Sequence, residues 1–337
     1  MSKKHWLSML MIFGGGSFAS AQPEVTKTPY VVQGPSVELA GFSDEPTTTL
    51  LDAGAVDGRR ELRCKPARNS IQRVVLKAKL TSTFKDDDVA KPQLTMPGMQ
   101  IAADVSVRSI DADGTINYTM MFDSGTTFDD KGVDPMTTQL LRDAMKELES
   151  VTASISTSDR LITRDANFAT KSQSPLARQF MDTISQSARS MSAPLPAEAV
   201  GIGASWRVTH HPIVNGVRTA TDAVYTLTAM DVDVITLNVQ IRLSAESQTI
   251  KMPSSDKIEM RLKSMSGTSE GSMKLNLGQL ITTDASTSTS CDVTMEVRNG
   301  ETVREIAQST TITARCYEER RVERMGPDVE PPSNAKE

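Results

Sequence analysis

The sequence predicts an α+β protein dominated by antiparallel strands: a curved sheet or half-barrel with two amphipathic helices packed on it. Three observations carry that expectation. Apolar and polar residues alternate over a series of separate segments, several of those segments are joined by Asp/Gly or Asn/Gly turns, and only two stretches show helical spacing.

The strands come in order. Residues 74–81 alternate toward their end. Residues 101–110 lead into Asp111-Ala112-Asp113-Gly114 and return as 115–122, which reads as strand, turn, strand. Trp206-Arg207-Val208-Thr209 begins another strand, which turns at Asn215-Gly216. Residues 217–230 and 234–243 flank Asp231-Val232-Asp233. Residues 290–297 and 302–315 flank Asn299-Gly300, the dipeptide that best fits a tight hairpin because both central positions take positive φ.

The first helix starts at Asp134-Pro135, an N-cap followed by a proline whose fixed φ suits the first turn. Leu141, Ala144, Met145 and Leu148 then fall on one face. The second starts at Ser174-Pro175, presents Leu176, Phe180, Ile184 and Met191, and stops at Ala193-Pro194-Leu195-Pro196. Both apolar stripes read as core contacts.

Length and composition set the organisation. Residues 1–21 have a basic start (Lys3, Lys4, His5), a short apolar run from Trp6 to Phe13 and small residues at Ala19-Ser20-Ala21. That is the pattern of a secretory signal peptide cleaved after Ala21, and the run is too short to span a bilayer. An exported, periplasmic or extracellular protein without a transmembrane helix is expected. Loss of Lys3 and Lys4 takes the net charge from -5 to -7, since two positive charges are removed. An acidic chain does not suit nucleic acid, which needs a basic patch. Residues 22–63 are rich in Pro, Thr, Gly and Asp and read as a flexible leader; 64–325 form the β-rich domain, and 326–337 a disordered tail.

The domain carries an internal echo. Leu161-Ile162-Thr163-Arg164-Asp165-Ala166 recurs as Leu280-Ile281-Thr282-Thr283-Asp284-Ala285, an offset of 280 minus 161, or 119. Ile110-Asp111-Ala112-Asp113 recurs as Met230-Asp231-Val232-Asp233, an offset of 120. Two separate matches at nearly one spacing predict a duplication, with halves of about 70–190 and 195–316.

No residue set earns a catalytic, cofactor or metal role. Ser269 lies in Gly267-Thr268-Ser269-Glu270-Gly271, but a nucleophile elbow needs a helix after it and a later histidine. Here 272–277 alternate as a strand, and no histidine follows His211. Ser82-Thr83-Phe84-Lys85 matches S-x-x-K, yet it ends a strand and runs into Asp86-Asp87-Asp88. His210 and His211 are neighbours on a strand and point to opposite faces, so they do not share a metal. Asp111 to Gly114 lacks the later ligands of a calcium loop and reads as a turn. Gly201-Ile202-Gly203 precedes a strand, not the helix of a dinucleotide fold, and Met96 with Met99 is one isolated thioether pair. Cys64, Cys291 and Cys316 leave at least one thiol unpaired in a monomer. Adjacent terminal strands would bring Cys64 near Cys316, whereas Cys291 faces about residue 308 across its hairpin.

The turn Asp111-Ala112-Asp113-Gly114-Thr115, the Pro194-Leu195-Pro196 stop, Val200-Gly201-Ile202-Gly203-Ala204-Ser205-Trp206, Tyr225 to Met230 and Leu277-Gly278-Gln279-Leu280-Ile281 together resemble a family of exported bacterial proteins of unknown function, over about 70–300. The resemblance implies no catalytic residue. Periplasmic lipoprotein carriers are a more distant likeness, of architecture alone: a curved sheet whose concave face is covered by helices. The expected role is non-enzymatic: a structural or protein-interaction module of the envelope or extracellular space, its partner unknown, with an envelope protein or a hydrophobic ligand as candidates. The alternatives are a carrier of lipid or another hydrophobic ligand, and a hydrolase with an unrecognised site.

Overall fold

The computed structural model describes residues 46–87, 89–129, 131–170, 193–214, 217–250 and 258–319. The first strands are β1 (Thr47–Asp52), β2 (Arg60–Glu61), β3 (Ile71–Asp86), β4 (Val89–Ala90) and β5 (Leu94–Thr95). Then come β6 (Gly98–Ile110), β7 (Ile116–Phe128), helix α1 (Pro135–Glu147), β8 (Val151–Thr157) and β9 (Thr163–Thr170). After residue 193 follow β10 (Ala199–Val200), β11 (Ser205–His210), β12 (Ile213–Val214), β13 (Val217–Arg218), β14 (Ala220–Asp231) and β15 (Val234–Ala245). The last of the described strands are β16 (Gln248–Ile250), β17 (Ile258–Asn276), β18 (Asp284–Asn299) and β19 (Thr302–Glu318).

These strands build one large, curved, unclosed antiparallel sheet in the order β1-β11-β14-β15-β17-β18-β19-β3-β6-β7-β8-β9. β16 pairs with β17, and β4 and β5 with β3. Most neighbours are successive hairpins. The joins β1–β11 and β19–β3 are instead long-range, and β19–β3 connects the N- and C-terminal parts of the body.

Alternation decides the faces. On β3 the even positions Val74, Leu80, Ser82 and Phe84 are buried, whereas Lys79, Thr83 and Lys85 are exposed. The inner faces of β6, β7 and β8 supply Val105, Ile116, Val151 and Ile155 to a cluster that also holds Trp206, Tyr225, Leu227 and Leu237 of β11, β14 and β15. Strands at opposite wings therefore bury one face into a common core, which makes that face the concave one.

Helix α1 covers part of this concave face. Asp134 caps it by accepting from the Thr137 amide at 3.1 Å, and Leu141, Met145 and Leu148 join the core. Gly125 makes room for it, since a β-carbon there would lie 2.4 Å from the Met145 carbonyl oxygen. Among the described residues α1 is the one α-helix. The second expected helix, from Ser174, lies outside them, as do the signal segment, the Asn215-Gly216 turn and the tail.

One boundary is corrected. The sequence reading put 22–63 in a flexible leader, but residues 46–63 belong to the fold. β1 pairs with β11, β2 pairs with β10, and Leu62 is fully buried. Burying Leu62 contributes about 2 kcal/mol, and the strand pairing of β1 and β2 adds to it, in a segment that shows no hydrophobic period. Gly201 accommodates this strap, because a β-carbon would sit 2.2 Å from the Ala55 carbonyl oxygen. The earlier residues of that leader lie outside the described ones.

Cys64 and Cys316, the pair that adjacent terminal strands would bring together, are not bridged: all three cysteines are free. The Cys64 thiol donates to the Gln279 carbonyl at 3.1 Å, while Cys316 sits in mid-sheet opposite Leu76 and Ala285. The strand carrying Cys316 pairs with β3, not with the strap that carries Cys64. Cys291 faces Thr310.

Candidate functional site

The motifs weighed on the sequence are resolved by their places. Ser269 stands mid-strand on β17, facing inward, 7% exposed, and its hydroxyl accepts from Thr289 at 2.8 Å. No turn presents it. Ser82 is buried on the inner face of β3, 2.9 Å from the Thr310 hydroxyl, and Gln308 donates to Thr310 at 2.8 Å. His210 is buried and His211 exposed, as alternation requires. Asp111 to Gly114 is a tight turn, with Gly114 at φ 81° and its amide donating to the Asp111 carbonyl at 3.1 Å. Met96 and Met99 pack against the core. Among the described residues no cluster of three or more His, Cys, Asp and Glu is placed to hold a metal ion.

Charge tuning is local. Burial pushes the Cys64 thiol up to about 12, with Asp159 adding to it. The Thr115 amide and hydroxyl, then Arg164, hold Asp113 down at about 2. Arg73 is held in its charged form by Asp123, Glu319 and Asp104. None of these groups converges with another on a cavity.

The outer face offers more. A groove of about 730 Å³ crosses β15, β17, β18, β19 and β3. Register shows how it is built. Lys79 lies opposite Thr313, which lies opposite Ser288, then Glu270, then Gln240. The adjacent row runs Lys77, Arg315, Ser286, Ser272 and Asn238. Each is an outward position of an alternating strand, so the groove floor is hydroxyls and amides. A second groove of about 450 Å³ shares Gln240, Glu270 and Ser288 with the first and continues to Asp222 and Arg207. Seven strands about 4.8 Å apart give a trough about 29 Å long.

The two ends differ. At the β3 end Phe128 lies over Gly98, where a β-carbon would come within 2.5 Å of the ring. Lys77 and Lys79 stand 5.8 and 5.7 Å from the Phe128 centroid. Lys77 and Arg315 stand 5.6 and 5.7 Å from that of Tyr317. Lys79 also pairs with Asp129, and Arg315 with Asp284 at 3.3 Å. At the β11 end Arg207 and Asp222 form an ion pair at 3.2 Å.

Gly271 and Gly267 sit at the sheet centre. A β-carbon at Gly271 would lie 2.2 Å from the Ser286 carbonyl oxygen. The bare backbone lets β17 and β18 bend closely against each other here. The sequence reading missed this trough. The outward Ser286, Ser288 and Ser290 were visible as polar alternation, but which strands would lie beside them was not.

A curved, unclosed antiparallel sheet, helix-covered inside and grooved outside, is the class these features define. Within it, residues 144–279 match DUF6263, a family of unknown function, which bears out the resemblance drawn from the sequence. No curated protein matches the chain. Solved structures it is similar to include OpdQ of Pseudomonas aeruginosa, at 8% identity over 74% of this chain and 97% of that one, TM-score 0.21. A mutant Rh. blastica porin gives 7% identity, 74% and 100% coverage and TM-score 0.21. OccAB3 of Acinetobacter baumannii gives 6% identity with the same coverages and TM-score. Similarity at that level supports no inference about this chain. No helix among the described residues is long and apolar enough to cross a membrane.

Proposed function

We propose that this is an exported, non-enzymatic binding protein whose outer trough takes a polar, chain-like ligand such as an oligosaccharide. The trough itself carries the reading: it is long, open along one side, and floored by Ser, Thr, Asn and Gln side chains in strand register. Such a floor offers hydrogen-bond donors and acceptors at the spacing of adjacent strands, which suits successive hydroxyl-bearing units.

Two other readings fit the geometry less well. A lipid carrier needs an open concave face, and here Leu62, Leu195, Trp206, Met145 and Leu148 fill much of it, each fully buried. A hydrolase needs an acid and a base converging on one bond. Glu270 is the carboxylate in the larger groove, and Asp222, in its extension, is ion-paired to Arg207.

The test is calorimetry of the purified full chain against a panel of oligosaccharides, with Ser288→Trp as the blocked variant. Ser288 is exposed and lines both grooves, so the indole fills the trough with little effect on folding. Binding that Ser288→Trp abolishes supports the reading. Binding that survives it, or no binding across the panel, overturns it.

We also propose that the sheet arose by duplication, its halves being about 70–190 and 195–316. The two repeated turns connect β6 to β7 and β14 to β15, and Leu161 and Leu280 are both buried in the main core just before β9 and β18. Superposing β6–β9 on β14–β18 in an experimental structure tests this: divergent paths would sink it.

A further inference from the structure

We infer that the trough's ligand is an acidic oligosaccharide, with a carboxylate seated among Lys77, Lys79 and Arg315 and its neutral units lying over the hydroxyl floor. This rests on the trough being the binding site.

The argument begins with a local cost. Lys77 and Arg315 face each other directly across β3 and β19, and Lys79 follows on the same face. Like charges in opposed cross-strand positions destabilise a sheet, and an anion between them would relieve that cost. The two rings make the arrangement workable. Phe128 holds both lysines, and Tyr317 holds Lys77 and Arg315, so that the cations are gathered at one end of the groove instead of splaying into water. Asp129 and Asp284 pair with Lys79 and Arg315 but do not line the groove, whereas all three cations do. Guanidinium and ammonium donors converging on a carboxylate form charge-assisted hydrogen bonds, the stronger kind.

The rest of the trough limits how much charge the ligand carries. Beyond the basic end come serines, threonines and amides, then the Glu270 carboxylate three strands from Lys79. A carboxylate accepts from sugar hydroxyls but repels a second anion. A chain with a phosphate on every unit would meet Glu270 in mid-trough, before Arg207 and Arg242 beside Asp222 in the second groove, on a protein of net charge -5. A sparsely acidic sugar chain fits; a nucleic acid does not.

The experiment titrates the full chain with a cello-oligosaccharide oxidised at its reducing end to carry one carboxylate, the neutral cello-oligosaccharide itself and a single-stranded oligonucleotide. It uses wild type, the double variant Lys77→Gln/Arg315→Gln, and Ser288→Trp. The singly acidic oligosaccharide should bind most tightly, weaken as salt rises, and lose about tenfold or more in affinity in the double variant. The double variant should keep a cooperative melt close to that of wild type, since the repulsion removed offsets the lost Arg315–Asp284 pair and ring contacts; a large drop would mark the cluster as structural. Equal binding of neutral and acidic sugars, unchanged in the double variant but blocked by Ser288→Trp, overturns the acidic ligand and leaves the trough reading standing. Loss of all sugar binding overturns both, and tighter binding of the oligonucleotide overturns the ligand class.

Discussion

The indole nitrogen of Trp206 donates to the Pro194 carbonyl at 2.9 Å, and Tyr225 stacks on the ring with centroids 5.8 Å apart. This contact ties β11 to the segment that enters it. Trp206→Phe keeps an aromatic body but leaves a buried carbonyl without that donor. The expected cost is about 1–3 kcal/mol, read as a lower urea midpoint by circular dichroism. An unchanged midpoint would mean the bond contributes nothing.

The thiols should be quiet in the native state. Burial raises Cys64 to about 12 and Cys291 to about 11, and burial raises Cys316 as well. A raised thiol pKa means less thiolate at neutral pH, hence slower alkylation. Iodoacetamide labelling followed by mass spectrometry should find Cys64 the last to react, and all three fast in denaturant. Early native labelling of Cys64 would contradict its burial in the core.

Asp113 should contribute to acid stability. Its carboxylate, held at about 2 by the Thr115 amide, the Thr115 hydroxyl and Arg164, lies below the ordinary aspartate value of 3.8. The unfolded chain therefore binds more protons between those values, so this contribution is present above about 3.8 and is lost as pH falls toward 2. Asp113→Asn should remove that part of the acid limb in melting temperature against pH. A variant whose acid limb matches wild type would show that the turn does not hold the carboxylate in solution.

The buried amide of Gln308 offers a contrast of two substitutions. Its nitrogen donates to Thr310 at 2.8 Å, while its oxygen has no partner among the described residues. Thr310→Val removes the acceptor and should cost about 1–3 kcal/mol. Gln308→Met replaces the whole amide by an apolar group of similar shape and should be close to neutral. Equal losses in urea denaturation would show that packing, not hydrogen bonding, governs the site.

What could be read from the chain was what is local. The turns at Asp111 and Asn299 stand where their residues demand positive φ or side-chain bonding: Gly114 and Gly300 lie at φ 81° and 60°. The cap at Asp134 and the stripe Leu141 to Leu148 gave helix α1. Strand lengths were underestimated, since β17, β18 and β19 are 19, 16 and 17 residues long and their Ser/Thr-rich stretches lack apolar contrast. The strap of residues 46–63 was missed because its order comes from tertiary partners: Leu62 in the core and Ala55 donating to Ile202 at 2.8 Å. The trough was missed for a related reason. It needs Lys79 on β3 beside Thr313 on β19, more than 200 residues along the chain, and no pattern within either strand specifies that neighbour.

The pairing of β3 with β19, from Asp86 opposite Ile306 to Val74 opposite Glu318, also governs when the protein can fold. β19 follows every other described strand in the chain, and it is the one that sews the sheet together. Until it arrives, β3 and β18 are open edges able to recruit strands from other chains. Such sequence-distant pairing slows folding, because a long loop must close before the contact is made. A nascent chain stalled before Thr302 should therefore stay protease-sensitive and prone to aggregate, whereas one carrying β19 should become resistant in a single late step.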